Sequence, residues 1–406
     1  MLEKDHRIFT PIVIVSALGY FVDIYDLVLF GIVRIASLTS LGLSGDELTS
    51  SGVLLLNMQM GGMLVGGIIW GVLGDKKGRV SILFGSIILY SLMNILNGFV
   101  TDIPQYAVVR FLAGIGLAGE LGAGITLVSE TMNKEKRGYG TMMVAGIGVL
   151  GAVVAALVGD LTDWRTAYFI GGGMGFLILL LRVGVYESGM YKSIQHSNIE
   201  KGNFFKLFTS KKLFFKYMNC ILLGLPLWFA VGVLVTFSPE FGKAFGFTEP
   251  VIAGKAIMFC YIGISAGDFL SGYISQLIRS RKKAINIFVV GVIIMIFVFL
   301  FLNKFGVNIL YFYCFLIGVV CGYWALMLSN ASEQFGTNLR ATVTTSVPNF
   351  IRGSVILSTT AFLYLKPGIG IVYSALTVGL VGAVIALFAT NSLEESFGKD
   401  LDYIEE

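Results

Sequence analysis

The sequence predicts an all-α integral membrane protein with twelve transmembrane helices in two six-helix bundles. Of its 406 residues, 56% are hydrophobic and only 13% are charged, whereas soluble domains carry about 25% charged residues. The apolar residues also fall in blocks of about 20, the length that crosses the hydrocarbon core of a bilayer. This composition excludes a soluble enzyme, a nucleic-acid-binding protein and a disordered chain.

Twelve apolar spans are bounded by charged or polar residues. They cover 9–36, 52–73, 80–100, 105–128, 140–159, 166–185, 217–239, 253–278, 284–302, 308–330, 343–365 and 369–390. One polar, basic stretch divides them into six and six. We therefore predict four regions: an N-terminal bundle (1–185), a cytoplasmic linker (186–216), a C-terminal bundle (217–392) and an acidic cytoplasmic tail (393–406).

The basic residues predict the orientation of the chain, because Lys and Arg in short loops are retained on the cytoplasmic side. Of the 29 Lys and Arg, 20 lie in the N-terminus, the alternate loops and the tail, and six lie in the opposite loops. The other three, Arg110, Arg182 and Arg352, fall within spans. Both termini are therefore predicted to be cytoplasmic, in a multi-pass protein of the inner (plasma) membrane.

Cysteine and histidine provide no evident metal or cofactor site. The four cysteines all lie in apolar spans without a C-x-x-C pair, and the two histidines lie in polar segments. Any proton chemistry inside the membrane must therefore use carboxylates. The first span contains Asp23 and Asp26 and has no small-residue cleavage site, so it is predicted to be a retained helix rather than a signal peptide.

The two halves share an internal repeat. Glu130 and Arg137 follow span four, and Glu333 and Arg340 follow span ten, at a common offset of 203 residues. Glycines of span two recur in span eight at an offset of 201 residues. Such duplication is typical of transporters whose halves are related by an axis along the membrane normal.

A motif between spans two and three carries a family resemblance. Gly71, Gly74, Asp75, Gly78 and Arg79 resemble the most diagnostic signature of the major facilitator superfamily. Asp75 is suited to meet a helix N-terminus, where the macrodipole favours an anion, and Arg79 is suited to pair with a carboxylate such as Glu130. The alternative is a solvated basic turn. In the second half Gln276 replaces the aspartate, although the positive charge is kept.

Two further segments resemble the metabolite:proton symporters, a branch close to the sugar porters. They are Arg110–Gly122 with Ser129 and Glu130 in helix four, and Gly19–Gly31 in helix one. The resemblance covers the whole chain as architecture. It implies the major facilitator fold, a bacterial-type inner-membrane solute carrier and a cavity lined by helices 1, 4, 7 and 10. Nothing in the sequence requires a bound cofactor or metal.

Intramembrane ionisable residues are expected to be paired and functional, because a charge in the bilayer costs several kcal/mol. Asp23 and Asp26 share one helix face, and helical rise places Asp26 and Arg110 at similar depth. This pair predicts a proton switch: with Arg110 nearby the carboxylate is ionised, and without it the carboxylate takes up a proton. Asp23 and Glu120 are alternative proton carriers, and Asp23 is the titratable group nearest Glu120 by depth. A permanent structural salt bridge is the competing interpretation.

Solute binding is predicted to combine charge from the first half with aromatic rings from the second. In the half-repeat, Trp228 lies at a position equivalent to the acidic motif of helix one, and Tyr323 and Trp324 lie at positions equivalent to Glu120 and its neighbour. The predicted solute-binding residues are Tyr25, Asn57, Gln59, Trp228, Tyr323 and Trp324. For any one aromatic residue, plain packing is the competing interpretation.

These features together predict a proton-coupled symporter that imports a small polar metabolite such as an organic acid, amino acid or betaine. Two bundles would rock about a central site. The predicted cytoplasmic gate pairs Glu130 with Arg137 and Glu333 with Arg340, and also includes Gly71, Asp75, Gly78 and Arg79. The alternatives are a proton-independent facilitator, an exporter or a non-transporting nutrient receptor. We expect a monomer in the lipid bilayer whose partners are solute and protons.

Overall fold

The structure is a computed structural model that describes residues 10–133, 136–182, 202–302 and 306–405. Residues 186–201 of the predicted linker lie outside the described residues. Within the described part, eleven helices are long and apolar enough to cross a membrane. The last of them contains a non-helical residue, Gly370 (φ +74°), and therefore comprises two spans.

We number the spans α1 to α12. They are α1 (Pro11–Ser40), α2 (Gly45–Lys77), α3 (Arg79–Asn97), α4 (Ile103–Thr131), α5 (Gly138–Leu161), α6 (Trp164–Leu181), α7 (Lys211–Val235), α8 (Gly254–Ile278), α9 (Arg281–Phe301), α10 (Val307–Gln334), α11 (340–369) and α12 (371–392). Short helices at Lys206–Thr209 and Ser238–Ala244 flank α7. The twelve predicted spans are confirmed, with ends shifted by several residues.

Polar side chains cap the starts of several helices. The hydroxyl of Thr10 accepts a hydrogen bond from the Val13 N–H (3.3 Å) at the start of α1. Asp102 accepts one from Gln105 N–H (2.8 Å) at the start of α4, and Asp163 caps α6. Each cap satisfies an N–H group that the first turn of a helix leaves without an intrahelical acceptor.

Four of the spans are interrupted. The helical hydrogen bonding of α4 breaks at 118–119, that of α5 at 149–150, that of α7 at 223–224 and that of α10 at 322–323. After its break α7 continues as Leu225–Phe229 and then as a π-helical turn, Ala230–Val235. Inside a membrane, backbone groups freed by a break are satisfied by the protein or line a cavity; at the breaks of α4 and α5, backbone bonds such as Gly119 N–H to Gly116 O and Leu150 N–H to Ile147 O continue through the interruption.

The chain forms two compact units. Unit one contains the chain up to Lys206, together with Phe335–Asn349 and the segment from Asp400. Unit two contains Leu207–Gln334 and Phe350–Lys399. The first turns of α11 therefore pack with the first half of the sequence. The four predicted regions, with boundaries at 186, 217 and 393, stay a prediction.

Glycines allow two pairs of helices to pack backbone against backbone. A Cβ at Gly66 of α2 would come within 2.5 Å of the Ile115 carbonyl oxygen of α4. In the second half, a Cβ at Gly322 of α10 would overlap the backbone of Gly267 in α8. These contacts require the glycines that the sequence repeats in spans two and eight.

Candidate functional site

The acidic residues of α1 lie in the interior of unit one. Asp23 and Asp26 are both fully buried. The nearest oxygen of Asp26 is 3.6 Å from Nη1 of Arg110 on α4, which is also fully buried. The guanidinium of Arg110 lies over the ring of Phe30 (5.0 Å) and donates a hydrogen bond to Gln59 Oε1. The structure thus brings together the two residues of the predicted switch.

Glu120 begins the second part of α4 and forms a buried ion pair with Arg182 at the end of α6. Arg182 also donates to the carbonyl oxygen of Leu83. A Cβ at Gly19 of α1 would overlap both members of the pair, so only glycine admits them at this place. Depth along α1 and α4 predicted Asp23 as the titratable group nearest Glu120. The observed partner is Arg182, and its position within a span was the available signal.

These residues form one buried charge cluster, consisting of Asp23, Asp26, Arg110, Glu120 and Arg182. Tyr90 of α3 is fully buried and lies within electrostatic range of both acidic residues of α1 and of the Glu120 ion pair. Its hydroxyl makes no hydrogen bond. The cluster contains three carboxylates and two guanidiniums.

A pair of tryptophans lies in unit two. The rings of Trp228 on α7 and Trp324 on α10 are 5.9 Å apart and inclined at 68°. Both indole Nε1 atoms are buried and make no hydrogen bond. The guanidinium of Arg352, on α11, is 5.6 Å from the ring centroid of Trp324 and is itself buried. Two unused N–H donors beside a cation are suited to an anionic group.

Side chains form hydrogen bonds to backbone groups at the two helix breaks beside this tryptophan pair. The hydroxyl of Tyr323 donates to the carbonyl oxygen of Leu223 (3.1 Å), at the break of α7. The carboxylate of Asp268 on α8 accepts from the Ala325 N–H (2.9 Å), just after the break of α10. Side chains next to or facing the breaks thus satisfy backbone groups on both sides of the pair.

The other predicted solute-binding residues are placed differently. The hydroxyl of Tyr25 donates to the carbonyl oxygen of Ala167 (2.8 Å) in the interior of unit one. Gln59 contacts Arg110, Tyr323 is occupied by Leu223, and Asn57 is exposed on α2. The structure therefore brings Trp228 and Trp324 together and gives the buried members of the remaining set hydrogen-bond partners within the protein.

The predicted gate motif surrounds the start of α11. Asp75 is fully buried and accepts hydrogen bonds from the N–H groups of Ala341 (3.1 Å) and Thr342 (2.8 Å) and from the Thr342 hydroxyl (2.7 Å). A Cβ at Gly71 would lie 2.8 Å from Cα of Thr342. Gly78 separates α2 from α3 with φ +103°, a conformation that favours glycine.

Glu130 lies between two guanidiniums. Its carboxylate is 3.0 Å from Arg79 and 2.9 Å from Arg340. Arg79 also donates to the carbonyl oxygens of Gly74 and Thr337, both at 2.9 Å. All three side chains of this triad are buried.

Arg79 pairs with Glu130, as the motif predicts, but the pair predicted for the second half differs from the observed one. The sequence paired Glu333 with Arg340, but Glu333 forms its ion pair with Arg281 (3.1 Å) in unit two. The reason is that Arg340 lies with the first turns of α11 in unit one, against Glu130. The side chain of Arg137, the predicted partner of Glu130, lies outside what the structure describes. The basic residues kept after α8 were the signal for Arg281.

Within the described ranges, no group of three or more His, Cys, Asp and Glu side chains could hold a metal ion. The four cysteines are buried and form no disulfide.

The sequence profile of the Major Facilitator Superfamily matches residues 16–359. A putative metabolite transport protein of Haemophilus influenzae is 28% identical over 370 residues, which are 86% of this chain and 88% of that protein. A benzoate transport protein of Acinetobacter baylyi is 31% identical over 187 residues, 44% of this chain and 39% of that protein. The solved structure of the proton:xylose symporter XylE superimposes with a TM-score of 0.78 at 16% identity, covering 97% of each chain.

The match to the XylE structure confirms the predicted fold of twelve helices in two bundles. The family match and the relatives confirm the family resemblance. The chain therefore belongs to the major facilitator superfamily, as a multi-pass membrane transporter of small molecules and not an enzyme.

Proposed function

We propose that this protein is a proton-coupled symporter that imports a small organic acid across the inner membrane by alternating access, as a monomer with both termini cytoplasmic. The observation that carries the proposal is the buried Asp26–Arg110 pair within a cluster of three carboxylates and two guanidiniums. Charges at this depth are expensive and are kept for function.

Asp26 is the best candidate for the proton carrier. Its 3.6 Å contact with Arg110 is long for an ion pair, and Arg110 has a second partner in Gln59. Asp26 and Arg110 can therefore separate while the Arg110 guanidinium keeps a hydrogen bond to Gln59. An isolated carboxylate in an apolar interior is far more stable when protonated, so separation of the pair would draw a proton onto Asp26.

Glu120 is less suited than Asp26 to carry the proton. Glu120 is held by Arg182, which also binds a backbone carbonyl group, and removing one partner of such a buried pair costs about 3–5 kcal/mol. We assign Glu120 and Arg182 to the stability of unit one. Asp23 shares the helix face of Asp26 and remains the second candidate.

The proposed solute is an organic acid with a carboxylate group. Trp228 and Trp324 offer two indole N–H groups without protein partners, and Arg352 supplies positive charge beside them. A buried donor without a partner costs about 1–3 kcal/mol, which an anionic ligand would recover. The indole rings also favour a planar solute, in keeping with the benzoate named for one relative.

The Asp75 motif and the Arg79–Glu130–Arg340 triad are proposed to close the cytoplasmic side. In the described conformation the first turns of α11 are bound by Asp75 and Glu130 through buried hydrogen bonds. Opening this side must break those bonds. Solute binding must therefore favour the open state by a comparable free energy, because a ligand with equal affinity for both states shifts neither.

The test uses purified protein in liposomes that contain a pH-sensitive dye. A panel of benzoate-type acids, other carboxylates, amino acids, betaines and sugars is added outside, and both internal pH and labelled solute are followed. We expect carboxylates to acidify the interior. Asp26→Asn should abolish this acidification and uphill uptake while sparing exchange of solute across the membrane. The matched control is Asp160→Asn, which removes an exposed carboxylate at the end of α5.

Three outcomes would contradict the proposal. Solute entry without proton movement would support the facilitator alternative. Saturable binding without any flux would support a nutrient receptor. Acidification driven by sugars or betaines but not by acids would leave symport standing and remove the assignment of the tryptophan pair to a carboxylate.

A further inference from the structure

Asp268 is a carboxylate in the middle of α8 whose surroundings set it apart from the charge cluster of unit one. It is fully buried. Among the described residues no Lys or Arg lies within ion-pair distance of it. Its carboxylate accepts hydrogen bonds from backbone N–H groups of α10. It therefore acts on the backbone of the neighbouring helix.

The hydrogen bond from α10 to Asp268 lies at the residue after the one where that helix restarts. Its first part ends at Cys321, Gly322 leaves helical geometry (φ −75°, ψ 42°), and the second part begins at Trp324. The first N–H groups of a new helix have no intrahelical acceptor, and Ala325 is buried, so its N–H group needs an acceptor from the protein. Asp268 supplies the acceptor for Ala325 at 2.9 Å, as an N-cap residue would, but from another helix.

Close packing of two glycines brings Asp268 to this position. A Cβ at Gly322 would overlap the backbone of Gly267, which precedes Asp268 in the chain. The backbones of α8 and α10 are thus in contact at the break. The carboxylate reaches α10 because neither helix has a side chain there.

The residue fixed by this bond is Trp324. Trp324 directly precedes Ala325, and its ring contacts Trp228 on one side and the guanidinium of Arg352 on another. The backbone at the break sets the direction in which the Trp324 ring points. If the bond to Asp268 were lost, Gly322 would allow that direction to change.

We propose that Asp268 is a positioning residue for solute binding: it caps the restarted α10 and thereby fixes the Trp324 ring against Trp228 and Arg352. The effect on transport rests on the proposed role of the tryptophan pair, whereas the effect on Trp324 itself does not. The role requires an acceptor oxygen at the right place and requires no change in protonation.

Two substitutions separate this role from a role of charge. Asp268→Asn keeps an acceptor oxygen at the same reach and removes the charge, whereas Asp268→Glu keeps the charge and moves it by one methylene group. Positioning predicts that Asn, which keeps the Oδ1 acceptor but loses the added strength of a charged acceptor, is impaired less than Glu. A proton carrier predicts the reverse. Ser271→Ala is the matched control, because it removes a buried hydroxyl of α8 that donates to the backbone carbonyl oxygen of Asp268 (3.2 Å) and leaves the Asp268 carboxylate in place.

The experiment is made in a protein whose other two tryptophans, Trp70 and Trp164, are replaced by Phe. Emission and acrylamide quenching of Trp228 and Trp324 are measured first, without solute. Uptake of a benzoate-type acid by liposomes is measured next, over a range of pH. For Asp268→Glu we expect a shifted emission and a KM raised roughly tenfold or more, the cost of a lost buried hydrogen bond, with kcat and pH profile retained.

Unchanged emission and KM in Asp268→Glu would overturn the inference. So would an Asp268→Asn protein that loses transport and its pH dependence, since that result makes the charge essential. If the wild-type protein transports no acid, the proposed function fails, but the emission of the Glu and Asn variants still decides whether Asp268 positions Trp324.

Discussion

Asp75→Asn should weaken the docking of α11 by about 2–3 kcal/mol. The carboxylate accepts three hydrogen bonds, from the Ala341 N–H, the Thr342 N–H and the Thr342 hydroxyl, at 2.7–3.1 Å. Bonds to a charged acceptor contribute about 1.5–3 kcal/mol each, roughly twice those to a neutral one. The asparagine loses that surplus, loses an acceptor and points an NH2 group at a helix N-terminus. A loss of this size raises the undocked population roughly 30- to 150-fold.

The assay measures how often the start of α11 becomes accessible. All four native cysteines are replaced by alanine, and Thr344, which is fully buried, is changed to cysteine. The initial rate of alkylation by a membrane-impermeant maleimide then reports the undocked population. In the Asp75→Asn background we expect the rate to rise by roughly the calculated 30- to 150-fold.

Asp163→Asn is the control, because it removes a helix-capping carboxylate that lies in an exposed loop before α6. It should leave the alkylation rate unchanged. The reasoning is refuted if Asp75→Asn changes the rate by less than about threefold, or if the two variants change it equally.

Three further predictions concern stability. Gly322→Ala should lower the unfolding temperature measured in detergent, because overpacking a close backbone contact costs about 1–3 kcal/mol or more, while Gly254→Ala on α8, which has open space around it, should not. Arg182→Ala should cost about 3–5 kcal/mol in denaturant unfolding, because a buried carboxylate loses its cation; an unchanged midpoint would contradict the ion pair. Partial burial raises the pKa of Glu395, but hydrogen bonds from the Ser280 hydroxyl and from backbone N–H groups outweigh it and hold that pKa below its ordinary value. Its stabilisation is therefore present above the ordinary pKa of about 4.3 and is lost as the pH falls through the folded value, so the difference in unfolding temperature between wild type and Glu395→Gln should shrink below about pH 4.

The sequence was sufficient for the spans and for two ion pairs, Asp26–Arg110 and Arg79–Glu130, for identifiable reasons. Long apolar blocks are a local property that hydropathy detects directly, and Asp26 and Arg110 could be matched because depth along a helix follows from its fixed rise. Arg182 was not matched to Glu120, because their contact depends on where α6 ends relative to a break in α4. Depth alone does not specify which helices are neighbours.

The gate shows a second limit of sequence reasoning. The half-repeat suggested that each half pairs its own Glu and Arg, but Arg340 instead contacts Glu130. A repeat predicts equivalent positions, and it does not predict which half a segment joins. Helix breaks have unequal signals in the sequence: Pro226 lies just after the break in α7, whereas the break in α10 has no proline and is bonded by a side chain of α8.

That bond has a consequence for how the protein is made. A charged residue near the centre of a helix opposes insertion by about 2.5–3.5 kcal/mol, and α8 has a mean hydropathy of 1.4, against 3.0 for α9. While the ribosome has synthesised α8 but not α10, Asp268 has no backbone N–H group to bind. Stable integration of α8 is therefore expected to wait for α10, so that these two helices enter the bilayer as a cooperative pair although α9 separates them in the chain.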